Sequence, residues 1–510
     1  MTLLAVAAAG LLGLVVYDLV QRRHAILRNF PIIGHFRYWL ESIGPELRQY
    51  LVTSNDEERP FSRDQRRWVY ASSKREKNYF GFGTDNDLES RPNYLIIKHE
   101  TLGLQGADTP AHRAAADARL PCAKVLGEPR GRTHAFRPES LVNLSGMSFG
   151  SLSGPAVRAL NRGAALGGFL HNAGEGGLSP HHRHGGDLIF QIGTGYFGCR
   201  DASGRFELDL LKEVVAANPV RAIEIKLSQG AKPGVGGFLP GAKVTREIAA
   251  ARGIPLGRDC ASPATHETFR GVDELLDFVE RIAEATGLPV GIKSAVGELD
   301  FWRELAGLME SKERGVDFVT IDGGEGGTGA GPLVFTDHVA LPFKLAMSRV
   351  YRCFAERELQ NELAFIGSGK LGFPETALLA LALGCDLVNV GREAMLALGC
   401  LQAQRCHTGR CPTGITTHNR WLVRGLAADL KSVRVASYVS TLRFELLRLA
   451  HACGQVHPAL VPLDRLEILD GRYDGTAAPE IFGYEPGWGL PSSDACAEVE
   501  RLMEATGAPH

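Results

Sequence analysis

The feature that most constrains the fold is a series of eight short apolar runs between residues 142 and 392, each ending in or next to glycine or polar residues. Runs of this kind are typical of buried β-strands. Amphipathic stretches such as VDELLDFVERIAEAT and PETALLALALG separate several of them. The runs are VNLSGMS (142–148), GFLHNAG (168–174), LIFQIGTG (188–195), RAIEIK (221–226), PVGIKS (289–294), DFVTIDG (317–323), LAFIGSG (363–369) and DLVNVGR (386–392).

Strands that alternate with helices predict an α/β protein with a parallel sheet. Eight such repeats over about 250 residues match the size of a closed (β/α)8 TIM barrel. An open, doubly wound sheet is the alternative, but no G-x-G-x-x-G sequence follows a first strand as in dinucleotide-binding folds. We therefore expect a TIM barrel with extra helical and loop segments.

Composition excludes several classes of protein. The chain has 510 residues, and its 44% hydrophobic share argues against global disorder. Lys plus Arg (56) nearly balances Asp plus Glu (58), and aromatic residues make up only 8%, so we expect no nucleic acid partner. The 60 glycines follow no collagen-like period, so their excess points to local roles.

The amino-terminal segment 3–20 reads LLAVAAAGLLGLVVYDLV, which is just long enough to span a bilayer. No cationic residue precedes it, and Arg22, Arg23 and Arg28 follow it. The positive-inside rule then places the rest of the chain in the cytoplasm. We therefore expect a single-pass membrane protein with a transmembrane anchor over 1–22 and a cytoplasmic catalytic domain; a buried helix is the alternative.

The active site of a TIM barrel forms at the carboxyl ends of its strands. The polar residues at the ends of the eight runs, or just beyond them, are therefore candidates for one shared site. They are Asn172, Glu175, Gln191, Glu224, Lys226, Lys293, Asp322, Ser368, Lys370 and Arg392.

Two glycine turns predict a phosphate-bearing ligand. IGSGK (366–370) and VGR (390–392) end the seventh and eighth strands, whose loops often hold phosphate in barrels. Glycine lets backbone N–H groups approach an anion closely, and Lys370 and Arg392 add positive charge. The loop DGGEGGTGAG (322–331) after the sixth strand can follow a flat ligand at short range.

Three cysteines, Cys400, Cys406 and Cys411, lie within twelve residues in a polar loop. This grouping suggests metal ligation. Zinc with His407 or His418 as a fourth ligand fits the spacing, and so does an iron–sulfur cluster with three protein ligands. The spacing does not decide between them.

Several of these segments resemble the synthase domain of glutamate synthases. The similarity is carried by SGMSFGSLS (145–153), AGEGG (173–177), EIKLSQGAKPGVGGFLPGAKV (224–244), TIDGGEGGTGAGP (320–332) and C-x5-C-x4-CPTG (400–414). ILRNFPIIGHFRYWLESIGPELRQY (26–50) and PFSRDQRRWVY (60–70) are similar to the leader of the membrane-anchored, stand-alone FMN-binding members. The resemblance extends from about residue 20 to about residue 490.

The resemblance implies a barrel that binds FMN beside a 3Fe-4S cluster on Cys400, Cys406 and Cys411, which favours iron–sulfur over zinc. In the family, electrons pass through the cluster to FMN, which reduces the imine formed from 2-oxoglutarate and ammonia. The implied cofactor-binding residues are Gly146, Met147, Ser148, Asn172, Glu175, Gln191, Lys293, Asp322, Gly324, Gly327, Ser368, Gly369, Lys370, Gly391 and Arg392.

The implied catalytic residues are Glu224, Lys293, Lys226, Gln229 and Lys232. A cation such as Lys293 near the flavin stabilises the reduced, anionic ring. Lys293 or Lys232 can pair with a substrate carboxylate, and Glu224 is the expected proton donor to the imine.

The resemblance also implies an organisation in four parts. These are a transmembrane anchor (1–22), an amino-terminal arm and packing segment (23–135), an FMN-binding synthase barrel with the iron–sulfur loop (136–425) and a carboxyl-terminal helical extension (426–510).

The chain departs from complete glutamate synthases in ways that affect its partners. No cysteine precedes Cys122, so we expect no glutaminase activity and an external source of ammonia. Ferredoxin-type cysteine motifs and a nicotinamide-binding fold are absent from the sequence, so we expect an external electron donor, either ferredoxin-like or a reductase subunit. The alternatives are another FMN barrel oxidoreductase that oxidises 2-hydroxy acids, and a non-enzymatic, membrane-tethered electron-transfer subunit.

Overall fold

The computed structural model describes residues 2–21, 24–53, 57–84, 86–104, 120–472 and 474–505. It separates into two compact units, Met1–Arg66 and Arg67–His510. The first unit is helical and includes the start of α4. Its helices are α1 (Thr2–Val20), α2 (Ala25–Asn29), α3 (Ile33–Leu47) and α4 (Arg63–Lys74).

Asp18 holds the helices of the first unit together. Its fully buried carboxylate accepts a hydrogen bond from the backbone N–H of Ile32 at 2.9 Å and contacts Nε2 of His35 at 2.9 Å. The Ile32 amide in particular holds the pKa of Asp18 below its usual value. The carboxylate near the end of α1 is therefore part of the packing of this unit.

The predicted transmembrane anchor over 1–22 is wrong, and the predicted single-pass membrane location is wrong with it. No helix in the described part of the chain combines the length and hydropathy that crossing a bilayer requires. The prediction counted apolar residues through Asp18, but the uninterrupted run 3–17 extends only about 22 Å as a helix, against about 30 Å of hydrocarbon. Arg22 and Arg23, on which the orientation depended, lie outside the described residues.

The second unit contains the strands. In chain order they are β1 (Tyr94–Ile97), β2 (Val142–Leu144), β3 (His171–Asn172), β4 (Leu188–Ile192), β5 (Val220–Lys226), β6 (Phe238–Leu239), β7 (Cys260–Ala261), β8 (Val290–Ser294), β9 (Phe318–Asp322), β10 (Ala364–Ser368), β11 (Leu387–Val390), β12 (Leu466–Leu469) and β13 (Gly475–Ala477).

Eight of these strands close into a parallel barrel in the order β10-β11-β2-β3-β4-β5-β8-β9. Each barrel strand overlaps one of the eight predicted runs, so the TIM barrel prediction is confirmed and the open-sheet alternative is wrong. Every residue of β4, β8, β9 and β10 is buried, as expected of parallel strands covered on both faces. Outside the barrel, β1, β12 and β13 form an antiparallel sheet, and β6 pairs with β7.

Helices surround the barrel and extend beyond it. They are α5 (Gly154–Gly167), α6 (Leu208–Ala216), α7 (Arg246–Arg252), α8 (Val272–Thr286), α9 (Asp300–Leu308), α10 (Leu333–His338), α11 (Phe343–Ala355), α12 (Pro374–Ala382), α13 (Arg392–Leu398), α14 (Arg420–Val423), α15 (Ala428–Ala452), α16 (Ala478–Phe482) and α17 (Ser493–Ala505). The long helix α15 packs against α5 at Gly163, where an added Cβ would lie 3.0 Å from the carbonyl oxygen of Ser432.

A buried ion cluster fixes the amino-terminal ends of β8 and β9. Asp317, just before β9, accepts a hydrogen bond from the backbone N–H of Val290 at 2.7 Å and from Nε of Arg132 at 3.0 Å. Arg132 also binds both carboxylate oxygens of Glu280 on α8, at 2.6 and 2.9 Å. The cluster joins two neighbouring strands to an outer helix on the side of the barrel away from the predicted site.

His171 of β3 makes the fold sensitive to acid. Burial lowers the pKa of this ring from its ordinary value of about 6.5 to about 3. Because the folded state keeps this ring neutral, its contribution to stability is present above pH 6.5 and is lost as the pH falls towards 3. At pH 5 the loss amounts to about 2 kcal/mol.

Between pH 7 and pH 5, we therefore expect the free energy of unfolding to fall by about 2 kcal/mol less in H171N than in the wild type. Urea denaturation at the two pH values measures this difference. The matched control H99Q changes an exposed histidine and should keep the wild-type pH dependence. An equal pH dependence in H171N and the wild type would contradict the prediction.

Candidate functional site

A buried carboxylate lies at the centre of the carboxyl end of the barrel. Glu224 of β5 is fully buried, and its Oε1 accepts hydrogen bonds from Nδ2 of Asn172 at 2.7 Å and Nε2 of Gln191 at 2.6 Å. Its Oε2 accepts a hydrogen bond from Oγ1 of Thr320 at 2.7 Å. The three donors come from β3, β4 and β9, so one side chain joins four strands of the barrel.

The register of the strands explains this convergence. Gln191 is paired with Glu224 between β4 and β5, and Lys226 is paired with Lys293 between β5 and β8. Lys293 is in turn paired with Thr320 between β8 and β9. Polar residues near the ends of different runs therefore occupy neighbouring levels of the barrel interior, as the strand-end argument predicted.

Lys293 carries a buried charge close to this carboxylate network. Its side chain is 7% exposed, and its ammonium Nζ lies 3.5 Å from Asp322 Oδ1 and 3.5 Å from Ser145 Oγ. Both distances are at the long limit for hydrogen bonds. The ammonium, with three N–H donors, therefore keeps capacity to bind an additional anionic or carbonyl group.

A second cationic cluster, formed by Lys226 and Lys232, lies beside Lys293. Nζ of Lys226 is 2.9 Å from Glu175 Oε1 and donates to Gln229 Oε1 at 2.7 Å. Burial opposes the ionisation of Glu175, but Lys226 and Lys232 outweigh it, so the pKa of Glu175 is lowered. Burial lowers the pKa of Lys232, whose Nζ donates to the carbonyl of Gly236 at 3.3 Å. This group supplies two ammonium ions, one carboxylate and one amide.

The ends of β10 and β11 form small, polar turns. Ser368 Oγ lies 3.4 Å from Ser145 Oγ, and Gly369 has a φ of +135°, which favours glycine. A Cβ added at Gly391 would meet only the Cβ of Ser145, at 3.7 Å. Arg392 donates from Nη2 to the carbonyl of Glu325 in the glycine loop after β9. The turn at Gly391 therefore leaves room close to the backbone, whereas Gly369 packs against the backbone of Gly323.

The glycines after β2 and β9 also make close contacts. A Cβ at Gly146 would lie 2.9 Å from both the Asn172 amide oxygen and the Gln191 amide nitrogen, and a Cβ at Gly327 would overlap Arg392. Gly324 N donates to the carbonyl of Leu341 at 2.9 Å.

The structure therefore gathers many of the predicted residues at one barrel mouth. Other predicted residues lie in loops that follow the carboxyl ends of the barrel strands. These loop residues are Gly146, Met147 and Ser148 after β2, Gln229 and Lys232 after β5, Gly324 and Gly327 after β9, and Gly369 and Lys370 after β10.

The three predicted metal ligands are not brought together. Within the described ranges, which include all three cysteines, no group of three His, Cys, Asp or Glu side chains is placed to hold a metal ion. Burial raises the pKa of Cys406, and the neighbouring charge of Cys411 raises it further, so these two thiols lie near each other. Cys400 has other contacts: its carbonyl accepts from the Tyr70 hydroxyl at 2.6 Å, and its sulfur accepts from the backbone N–H of Gln402 at 3.4 Å.

Oxidation of a 2-hydroxy acid would be favoured by a histidine base that follows the flavin loops. The candidates His181, His182 and His184 lie in an early loop and contact other groups. His182 is buried, and its Nδ1 lies 3.0 Å from Ser179 Oγ. Nε2 of His181 lies 3.3 Å from Glu247, and His184 has its backbone N–H bonded to Asn161. None of these recorded contacts involves Glu224 or Lys293.

Sequence reasoning missed Thr320 and Ser145. Thr320 lies inside the run DFVTIDG rather than at its end, and its signal is a hydroxyl within an otherwise apolar strand. Ser145 directly follows β2 and contacts both Ser368 and Lys293. Both residues would have been found by asking which polar side chains in buried runs point into the barrel.

Comparisons with known proteins identify the family of this chain. The model of the conserved region in glutamate synthase matches residues 125–456, which include every predicted site residue. The glutamate synthase large subunit-like protein YerD of Bacillus subtilis (strain 168) is 38% identical over 465 residues, covering 86% of this chain and 88% of that protein. The archaeal glutamate synthase (NADPH) of Methanocaldococcus jannaschii is 37% identical over 339 residues, covering 65% of this chain and 61% of that protein.

Among solved structures, a flavocytochrome b2 variant with sulfite bound has a TM-score of 0.44 at 16% identity, over 92% of this chain and 95% of that chain.

The Glu224 network predicts the effect of removing one donor. We expect T320V to lower the free energy of unfolding by about 1.5–3 kcal/mol, because it removes one hydrogen bond to a buried charge and changes little in shape. Urea denaturation at pH 7 measures the loss. T476V, on the outer strand β13, is the matched control and should change stability by less than about 0.5 kcal/mol. Equal stabilities of T320V and T476V would refute this account of the network.

Proposed function

The chain belongs to the glutamate synthase family and is an oxidoreductase; from this premise we propose that its barrel mouth binds FMN and reduces the imine of 2-oxoglutarate, or of a related 2-oxo acid, to an amino acid. The single observation that carries the proposal is the buried ammonium of Lys293, which lies beside the Glu224 network with only long contacts of 3.5 Å. Such a cation has capacity left for a cofactor or substrate oxygen.

The barrel mouth fits a flat, phosphorylated cofactor. Gly391 leaves its backbone accessible, and the hydroxyls of Ser145 and Ser368 lie 3.4 Å apart nearby. Backbone N–H groups and hydroxyls at such turns are suitable partners for a phosphate. We propose that Ser368, Gly369, Gly391 and Arg392 hold the FMN phosphate, with Lys370 at its edge. Family membership supports FMN as the cofactor.

FMN supplies the hydride when it is bound, and the protein residues set the charge around it. Lys293 stabilises negative charge that develops on the reduced ring. Gly146, whose backbone runs against Asn172 and Gln191, lets Met147 and Ser148 border the ring. The remaining proposed cofactor contacts are Glu175, Asp322, Gly324 and Gly327.

Glu224 is better suited to orient its neighbours than to protonate the imine. Its two oxygens accept three hydrogen bonds, which is the pattern of an ionised carboxylate acting only as an acceptor. We propose that Glu224 fixes the amides of Asn172 and Gln191 against the cofactor. Lys232 is the better proton donor, because burial moves its pKa down towards neutrality.

The second cationic cluster is the proposed binding site for the 2-oxo acid. A dicarboxylate substrate needs cationic or amide partners for each carboxylate, and Lys226, Gln229 and Lys232 offer them on one side of the mouth. Glu175 offsets part of their charge when substrate is absent, since its carboxylate lies 2.9 Å from Lys226. The ammonia and the electrons come from external sources in this proposal, the latter from a ferredoxin-like protein or a reductase subunit.

A 3Fe-4S cluster on Cys400, Cys406 and Cys411 also belongs to the proposal. It is supported by the cysteine spacing and by family membership. In the described ranges the three thiols do not form a group that could hold a metal ion, so their arrangement does not fit a three-ligand cluster as it stands. We therefore derive no electron-transfer step through the cluster.

The role of Lys293 predicts the behaviour of K293M. We expect at least a 100-fold fall in the rate of glutamate formation by the chemically reduced protein, because a preorganised charge at the reacting centre is lost. We also expect the reduction potential of bound flavin to fall by roughly 30 mV or more, where 30 mV corresponds to about 1.4 kcal/mol for two electrons.

K212M changes an exposed lysine on α6 and is the matched control. It should keep both the rate and the potential of the wild type. Unchanged glutamate formation in K293M, with flavin bound, would refute the assignment of Lys293.

The cluster proposal predicts about three iron atoms per chain in anaerobically purified protein, with an EPR signal when oxidised. The variant C411S should lose both the iron and the signal, whereas C496S, far along the chain in α17, should keep them. A preparation that contains zinc in place of iron, or no metal, would overturn the cluster.

A further inference from the structure

The segment between β5 and β8, residues 227–289, leaves the barrel and returns to it. It carries Gln229 and Lys232 of the proposed substrate site. Several hydrogen bonds attach it to the barrel mouth. Among them, Gly230 N donates to Asp322 Oδ2 at 2.9 Å, and the Pro263 carbonyl accepts from Thr194 Oγ1 at 2.7 Å. His266 provides a further attachment, at the end of β5 itself.

His266 is 7% exposed and uses both of its ring nitrogens. Nε2 lies 3.0 Å from the carbonyl oxygen of Lys226, and Nδ1 lies 3.2 Å from the hydroxyl of Tyr196. The ring also stacks on Phe269 with centroids 4.8 Å apart. Because a carbonyl oxygen only accepts, Nε2 must carry a proton, and in the neutral ring Nδ1 is then an acceptor.

The Tyr196 hydroxyl is placed to donate a hydrogen bond to Nδ1 of His266. Its hydroxyl oxygen accepts from the backbone N–H groups of Glu267 at 3.0 Å and Thr268 at 3.2 Å, and from the Thr268 hydroxyl at 2.8 Å. These donors leave its own proton for Nδ1 of His266. Tyr196 has a φ of +49°, which is uncommon for a bulky residue and shows that the surrounding bonds hold it in place. Burial lowers the pKa of His266, in agreement with a neutral ring.

We propose that His266 is a positioning residue, which together with Tyr196 holds the carbonyl of Lys226 and thereby sets where the Lys226 ammonium meets the 2-oxo acid. This inference rests on the proposed function. Lys226 is the last residue of β5, and the N–H of the peptide bond that follows it, on Leu227, donates to the Lys293 carbonyl at 2.8 Å. The hydrogen bond from His266 holds the other polar group of the same peptide bond, the Lys226 carbonyl, and the ammonium reaches Glu175 and Gln229.

Two substitutions of His266 separate packing from hydrogen bonding. H266F keeps an aromatic ring on Phe269 but removes both nitrogens, whereas H266Q keeps an amide N–H that can reach the Lys226 carbonyl. We expect H266F to raise the Kd and KM for 2-oxoglutarate about tenfold, the value of one hydrogen bond, with kcat changed less than twofold. H266Q should stay within twofold of the wild type.

The dissociation constant is measured from the change in absorbance of the oxidised flavin in the holoenzyme, and the kinetics from glutamate formation. FMN content should be the same in all variants. If H266F does not fold, Y196F provides the test. It removes the hydroxyl that donates to Nδ1, which also accepts from Glu267 and Thr268, but it leaves the His266 ring in place, and it should raise Kd in the same direction.

A double-mutant cycle tests whether His266 acts through Lys226. In the K226M background H266F should cause no further loss of affinity. Equal affinities of H266F and the wild type, or an equal loss in the K226M background, would overturn the inference.

The nitrogen-15 NMR spectrum of histidine-labelled protein gives a readout that needs no substrate. We expect the His266 signals, assigned by their loss in H266Q, to show a neutral ring protonated on Nε2 at pH 7. A doubly protonated or Nδ1-protonated ring would overturn the inference. If these signals are as expected but the wild type neither binds 2-oxoglutarate nor forms glutamate, the proposed function fails, whereas the hydrogen bond from His266 to the Lys226 carbonyl stands.

Discussion

The organisation of the barrel mouth depends on one buried carboxylate. Glu224 accepts hydrogen bonds from Asn172, Gln191 and Thr320, which lie on three other strands. A buried charge without partners costs several kcal/mol, so the three donors stabilise the closed barrel. The closed barrel in turn orients two amides at its mouth, and an error of one residue in any of these strand registers would remove one of the three hydrogen bonds to the charge.

Two lysines at paired register positions have different surroundings, and we therefore propose different roles for them. Lys226 and Lys293 face each other between β5 and β8. Lys226 is held by Glu175 at 2.9 Å, whereas Lys293 has contacts of 3.5 Å with Asp322 and Ser145. The first is a paired charge that a substrate carboxylate would compete for. The second is a buried charge with capacity to bind another group, as the proposed function requires beside a flavin ring that becomes anionic on reduction.

Sequence reasoning was most successful for features that the residues of a single strand determine. The eight runs predicted the barrel because parallel strands covered on both faces are continuously apolar, and their polar ends share one edge. It failed where partners are distant in sequence: Thr320 lies 96 residues beyond Glu224, and His266 lies forty residues beyond Lys226. The transmembrane prediction failed for a different reason, because it counted the apolar run through Asp18, whose carboxylate is bound by Ile32 and His35. The spacing of three cysteines likewise carried no information on how their side chains are arranged.

The most direct test of the account is an anaerobic reaction of the chemically reduced, FMN-containing protein with 2-oxoglutarate and ammonium. The account predicts that the flavin absorbance returns to that of the oxidised form and that one glutamate forms for each flavin reoxidised. Reduced flavin that stays reduced in the presence of both substrates, or that is reoxidised without formation of an amino acid, would contradict it.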